Sequence, residues 1–297
     1  MRPIIIEYAS KLYPEILRNI KNPPSRLYAL GNIEILNKHG IAVVGSRTNT
    51  QYGEKMCKMF VKNLVDYNIN IISGLAFGID SIAHSTCVKN LGNTIAVLPS
   101  GLENICKVTN KTLINDIINN NGVIISEYEN SVMANSKKFL ERNRIVAGLG
   151  LGTLVVEAGY RSGTSVTARY THQNKKPVFC IPSSLENNKG RTTNILIQQG
   201  AKLVTSADDI IKEIYKNNPK IHLVKKERKV KDNRLNISPE LLKIYNEIND
   251  IPKDINQIAK RVKSSISEVN YKIMILQLED RIIELPGQRF IRNNNSD

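Results

Sequence analysis

From Ile41 onward, short apolar runs alternate with longer amphipathic stretches. The runs are Ile41–Val44, Ile69–Ile72, Thr94–Leu98, Val123–Ile125, Thr153–Val156, Val178–Ile181 and Lys202–Val204. Most are rich in Val and Ile and carry no charge, the pattern of strands buried on both faces. Segments between them, such as Glu54–Tyr67 and Ile79–Lys89, have the spacing of helices. Strand–helix alternation of this kind predicts an α/β fold, a mostly parallel sheet with helices on both faces. Residues 1–38 read as a short mixed lead-in, because Pro14 and Pro23-Pro24 interrupt any long helix. The sheet domain is then expected over 39–215.

The pattern stops near Tyr215. Residues 216–236 are rich in Lys and Arg with little apolar periodicity, and read as a basic linker. A second pattern, expected over 237–297, starts at Ser238-Pro239, an N-cap followed by proline at the first helical position. Leu241, Leu242 and Tyr245 mark one helix. Ile255, Ile258 and Val262 mark a second, and Val269, Ile273, Leu276 and Leu278 a third. Arg281–Leu285, the turn Pro286-Gly287 and Gln288–Ile291 complete a hairpin, which gives the order of a winged-helix domain. The third helix carries Lys272 but little other positive charge, so this domain suits protein contact or regulation better than groove reading.

Charge adds the first functional clue. The 297 residues hold 42 Lys and Arg against 27 acidic residues, a formal net charge of +15. So large a surplus points to a polyanionic partner. Cys57, Cys87, Cys106 and Cys180 form no Cys-x-x-Cys pair and no His cluster joins them, so neither metal nor cofactor is expected. Scattered cysteines fit a cytoplasmic protein. The apolar run Ile4–Ile6 is too short for a signal peptide, and no segment approaches a membrane span.

Several strands end in small, hydroxylated or basic residues: Gly45-Ser46-Arg47, Ser73-Gly74, Ser126-Glu127 and Ser162-Gly163-Thr164. In an open parallel sheet such loops gather at the carboxyl edge, where ligands bind. The glycines allow close backbone approach, and N–H groups at helix starts favour an anion. Arg47 adds a planar charged fork suited to phosphate. Further on, Ser136–Arg144 packs Lys137, Lys138, Arg142 and Arg144 around Phe139 at a helix start. A base stacks on such a ring while nearby cations hold phosphates. Arg142 and Arg144 lie two apart and cannot share one helical face, so one is expected to turn towards the sheet edge.

Other motifs carry less. Asp80 and His84 share a helix face and read as a cap or structural pair. Gly148-x-Gly150-x-Gly152 precedes a strand, whereas a dinucleotide loop must follow one. Glu157 after the strand at Thr153 is either a general acid or base of a nucleotide hydrolase, or a carboxylate pairing with Arg142 or Arg144. A module that senses a small nucleotide is the third alternative.

The sequence resembles the DprA/Smf family of DNA-processing proteins. The resemblance rests on VGSR at Val44–Arg47, SGLAFGID at Ser73–Asp80, TIAVLPSGL at Thr94–Leu102, RNRIVAGL at Arg142–Leu149 and VVEAGYRSGT at Val155–Thr164. It runs over nearly the whole chain from about residue 11. It implies a Rossmann-like domain with a C-terminal winged helix, single-stranded DNA binding and protection, and RecA loading during natural transformation. It further implies a homodimer and no catalysis. The contacts it implies are Arg47, Phe139, Arg142 and Arg144, with Ser46, Ser73, Gly74, Ser162 and Gly163 lining the pocket. The family's usual Arg is Phe77 here, a common proline is Leu140, and the usual Tyr-Pro is Cys106-Lys107.

Overall fold

The computed structural model describes residues 3–103, 111–159, 162–219, 221, 223, 225, 237–249, 251–279 and 281–293. Cys106-Lys107 and most of the expected basic linker lie outside the described residues. The chain divides into two compact units, Met1–Glu227 and Arg228–Asp297.

The first unit is built on a nine-stranded sheet. Its strands are β1 (Ile4–Glu7), β2 (Arg26–Gly31), β3 (Gly40–Val44), β4 (Asn70–Ser73), β5 (Thr94–Val97), β6 (Val123–Ser126), β7 (Thr153–Val155), β8 (Val178–Cys180) and β9 (Lys202–Leu203). The helices are α1 (Glu15–Arg18), α2 (Gln51–Asp66), α3 (Ile79–Lys89), α4 (Lys111–Asn119), α5 (Ser136–Leu149), α6 (Thr164–Gln173), α7 (Arg191–Gln198) and α8 (Ala207–Asn217). The strand order is β1-β2-β6-β5-β4-β3-β7-β8-β9. Strands β3 to β9 pair parallel, and only β1 and β2 run antiparallel. The Rossmann-like α/β architecture expected from the alternation is present.

Period-two geometry explains the charge-free runs. Along β3, Ile41 and Val43 enter one core with Phe60 and Leu64 of α2, while Ala42 and Val44 enter the other with Ile145 and Leu149 of α5. Both faces are therefore covered, α2, α3 and α8 on one side and α5, α6 and α7 on the other.

One expectation needs correction. The sheet does not begin at residue 39: β1 and β2, from the lead-in, extend it antiparallel through β6. β1 ends before Pro14 and β2 starts after Pro23-Pro24, while the segment between these prolines holds the one-turn helix α1, with Pro14 as its N-cap. Tyr13 and Leu17 enter the same core as Ile145 of α5, and the Tyr13 hydroxyl donates to the Pro24 carbonyl at 2.8 Å.

On that face Lys176 donates to the Gly148 carbonyl in the last turn of α5. Burial pushes its amine down to about 8. Above that pH the folded chain releases a proton that the unfolded chain keeps up to the ordinary lysine value, about 10.4. The unfolded state then binds more protons, so this group raises stability as pH climbs through that window. Melting temperatures of the unaltered chain and Lys176→Met should therefore diverge in favour of the unaltered chain between pH 8 and about 10. A constant difference across that range would contradict the assignment.

The second unit packs α9 (Pro239–Glu247), α10 (Ile255–Val262) and α11 (Ile266–Leu278) with β10 (Lys253–Asp254), β11 (Ile282–Leu285) and β12 (Arg289–Arg292). Pro239 opens α9, as the Ser-Pro pair predicts. Ile244, Ile258, Ile273, Leu276 and Phe290 lie in its core. The β11–β12 turn has Gly287 at φ +84°, a conformation only glycine adopts without strain. The two-residue β10, which joins the sheet at β12, is too short to leave a sequence pattern.

Candidate functional site

The strand order reverses between β3 and β7. From β3 the chain builds outward through β4 to β6, and from β7 it builds the opposite way to β9. Loops leaving the carboxyl ends of β3 and β7 must diverge there, which opens a crevice. A cavity of about 730 Å³ fills it. Its walls come from Gly45, Ser46 and Arg47 after β3, Gly74 and Ala76 after β4, and Gly159 and Ser162–Thr164 after β7. The first turns of α5 supply Ser136, Phe139, Leu140, Arg142 and Asn143.

Arg47 is exposed, and its guanidinium carbon stands 4.7 Å from the centre of the Phe139 ring. No carboxylate pairs with it among the described residues. A planar cation over an aromatic face is held in place by attraction to the ring's negative face. Asn135 starts α5 as its N-cap, accepting from the Lys138 amide at 2.9 Å, which sets Phe139 in the first turn beside the crevice.

Arg142 forms the floor. It is 3 % exposed and donates from Nη1 to the Gly74 carbonyl at 2.5 Å and to the Val97 carbonyl. Burial lowers its value to about 10, against an opposing pull from Asp80. Asp80 is itself buried; burial raises its carboxyl, opposed by the Arg142 charge and by the Gly74 amide donating at 3.2 Å. A Cβ at Gly74, after β4, would press on the Arg142 guanidinium, so a larger residue there would displace that side chain from the floor. Opposite, Gly163 is the N-cap of α6 and makes no side-chain cap. The Thr164 hydroxyl donates to the Gly45 carbonyl at 3.1 Å, tying the β3 and β7 loops together. Ser162 Oγ is buried with no hydrogen-bond partner among the described residues. A cluster of small residues, a helix N-terminus and a free guanidinium on one crevice favours an anion.

Known proteins place this crevice in context. The family described as DNA recombination-mediator protein A matches residues 4–215. The chain belongs to that family. It is 36 % identical over 210 residues to protein Smf of Escherichia coli, covering 71 % of this chain and 56 % of that one. It is thus similar to little more than half of that relative's length. DNA processing protein DprA of Streptococcus pneumoniae is 39 % identical over 201 residues, 68 % of this chain and 71 % of the relative. The solved structure of the pneumococcal protein superposes with a TM-score of 0.66 at 35 % identity, covering 72 % of this chain and 75 % of that one. A Helicobacter pylori DNA processing protein A structure, described for its single-stranded DNA binding mode, gives 0.65 at 28 % identity, with 73 % and 97 % covered.

Within this DprA-type unit, not every expected residue reaches the crevice. Ser46, Arg47, Gly74, Phe139, Arg142, Ser162, Gly163 and Thr164 line it. Ser73 does not: it is fully buried and its hydroxyl donates to the Val43 carbonyl at 2.6 Å, pinning β4 to β3. Arg144 does not either. Two residues beyond Arg142, it turns to the opposite side of α5, where its guanidinium donates to both Glu127 oxygens at 2.8 and 2.6 Å and to the Asn22 carbonyl. Expected as a DNA contact, it instead fastens α5 to the end of β6 and to the lead-in. Lys137 and Lys138 also lie off the lining: Lys137 is exposed beside Glu141, and Lys138 donates to the Met133 carbonyl at 3.1 Å.

Glu157 is a further correction. It pairs with neither arginine. Its oxygens accept from the Thr50 amide at 2.8 Å, the Thr50 hydroxyl at 2.7 Å and Asn187 Nδ2 at 3.0 Å. Nor do Asp80 and His84 pair with each other. Thr94 Oγ1 donates to the Ile71 carbonyl, so His84 Nδ1 is the donor in its 2.7 Å bond to that oxygen. Burial and the nearby Arg142 charge depress His84 to about 3, which leaves it neutral.

The sequence reading missed Asn135, Asn143 and Lys189, all of which line the crevice. Lys189 follows β8, the next strand on that side of the switch, and donates to the Thr48 carbonyl. The carboxyl-edge rule that found Arg47 applies equally to the β8 loop and was the available signal. Phe77, in place of the family's usual arginine, is 66 % exposed and stands outside the lining.

Proposed function

We propose that this chain binds single-stranded DNA in the switch-point crevice, gripping backbone phosphates and stacking bases with little sequence preference. The single observation that carries this reading is the unpaired Arg47 guanidinium on the Phe139 ring, at the mouth of a crevice floored by Arg142. Among the described residues, Arg47, Arg142 and Lys189 face the space against one carboxylate, Asp80. When Arg47 moves to a phosphate, the ring face it leaves accepts a base. The relation to a protein described for single-stranded DNA binding supports the same ligand. No base edge need be read, because contacts to backbone and π-faces are shared by all sequences.

The role we assign is DNA protection and hand-over to a RecA-type recombinase in the cytoplasm during DNA uptake. It rests on the family's description as a recombination mediator. No helix among the described residues is long and apolar enough to cross a membrane. We assign no catalytic step: Glu157 is engaged by Thr50 and Asn187 and stands off the lining. A homodimer through the first unit belongs to the same reading. The second unit acts as a winged-helix module for protein contact. Its α11 exposes Tyr271, Met274 and Leu278, and its Lys272 is held by Glu268 at 2.5 Å.

Phe139→Ala tests the stacking half. Stacking on one aromatic is worth about 1–3 kcal/mol per base, so affinity for a labelled thymine 20-mer should fall about five- to 150-fold. The salt dependence should stay unchanged, since no phosphate contact is lost. Unaltered affinity in anisotropy titrations would remove base stacking from the proposal.

A further inference from the structure

A second, smaller hollow of about 370 Å³ adjoins the crevice. Leu185 and Asn188 from the loop after β8 line it, with Arg191, Asn194, Ile195 and Gln198 on one face of α7. The two spaces share a wall. In the 3-10 turn Asn188–Gly190, Lys189 faces the crevice while Asn188 before it and Arg191 after it face the hollow.

The hollow is built, and its chemistry is unspent. Asn194 accepts from the Ser183 amide at 3.0 Å and donates to the Ser183 carbonyl at 2.8 Å, which fixes the loop against α7. Gly190 packs so closely that a Cβ would stand 2.0 Å from Ser183 Oγ. Against this fixed wall Arg191 is exposed and makes no hydrogen bond or ion pair among the described residues. Leu185 is 93 % exposed, an apolar surface beside a free cation. A free guanidinium, an apolar platform and the amides of Asn188 and Gln198 are the groups that hold a nucleotide by phosphate, base face and base edge.

We infer that this hollow is a second nucleotide subsite, which takes the stretch of a DNA strand that leaves the crevice past Lys189. Arg191 holds a phosphate there and Leu185 backs a base. The inference rests on the reading of the crevice as a strand-binding site.

The test is a length series. Thymine oligonucleotides of three and twenty residues are titrated by anisotropy and competition against the full chain and Arg191→Glu. Melting temperatures confirm that the variant is folded. The trimer fits the crevice alone and should bind both proteins within a factor of two. The 20-mer should bind Arg191→Glu about five- to tenfold more weakly, with the slope of log K against log salt reduced by about 0.7 for the one lost phosphate contact. Equal loss at both lengths, or no loss at either, overturns the subsite while leaving the crevice intact. Failure of the unaltered chain to bind either length overturns the crevice reading itself.

Discussion

Arg47→Ala should weaken binding of a thymine 20-mer by about tenfold or more near 50 mM salt, the largest loss expected from any exposed position. The side chain is unpaired and exposed, so its charge is available to a phosphate without first breaking an ion pair, and only its contact with the Phe139 ring has to be given up. The slope of log K against log salt should fall by about 0.7, the single-strand value for one phosphate contact. Arg47→Lys should recover the slope but only part of the affinity, because an ammonium keeps the charge and loses the planar fork. An unchanged slope in Arg47→Ala would mean that the residue touches no phosphate.

Arg142→Leu should destabilise the first unit by about 3–5 kcal/mol, because it strips two buried carbonyls of their donor and the buried Asp80 carboxylate of the nearby opposite charge. The guanidinium satisfies the carbonyls of Gly74 and Val97, at the ends of β4 and β5. It also offsets the buried Asp80. Without it, Asp80 is left charged in a low-dielectric site or must take up a proton. Urea-dependent hydrogen exchange over peptides covering β3 to β5 reads this locally, with no contribution from the second unit. The double variant Asp80→Asn/Arg142→Leu should recover part of the loss. A decrease below about 1 kcal/mol would show that Arg142 is dispensable to the floor.

The contrast between these two arginines marks where sequence stops being informative. Central strands were legible because β3 to β8 are short, uncharged and bounded by turn residues, as burial on both faces demands. The lead-in strands were not. β1 lies at an edge with Ile4 and Ile5 exposed, and β2 sits beside prolines, so neither has the signature of a buried strand. In the site, Arg47 and the glycine loops followed from the carboxyl-edge rule. The two-residue spacing of Arg142 and Arg144 separated their faces, yet could not say which faced the sheet. That depends on Glu127, carried to Arg144 by the place of β6 in the sheet, and on the Asn22 carbonyl of the lead-in. Glu157 is similar: its partners Thr50 and Asn187 come from two other loops. Pairing across loops is a property of topology, and one chain's local pattern does not carry it.

The central claim is that a DNA strand lies against Phe139 and Arg47 in the crevice of the first unit. Photocrosslinking tests it most directly, with a thymine 20-mer carrying 5-iododeoxyuridine and mass spectrometry of the linked peptides. The account predicts that the tryptic peptide Phe139–Arg142 carries the crosslink, that excess unlabelled single strand suppresses it, and that Arg47→Ala weakens it. Bound oligonucleotide that links only to residues of the second unit, Arg228–Asp297, would contradict the account.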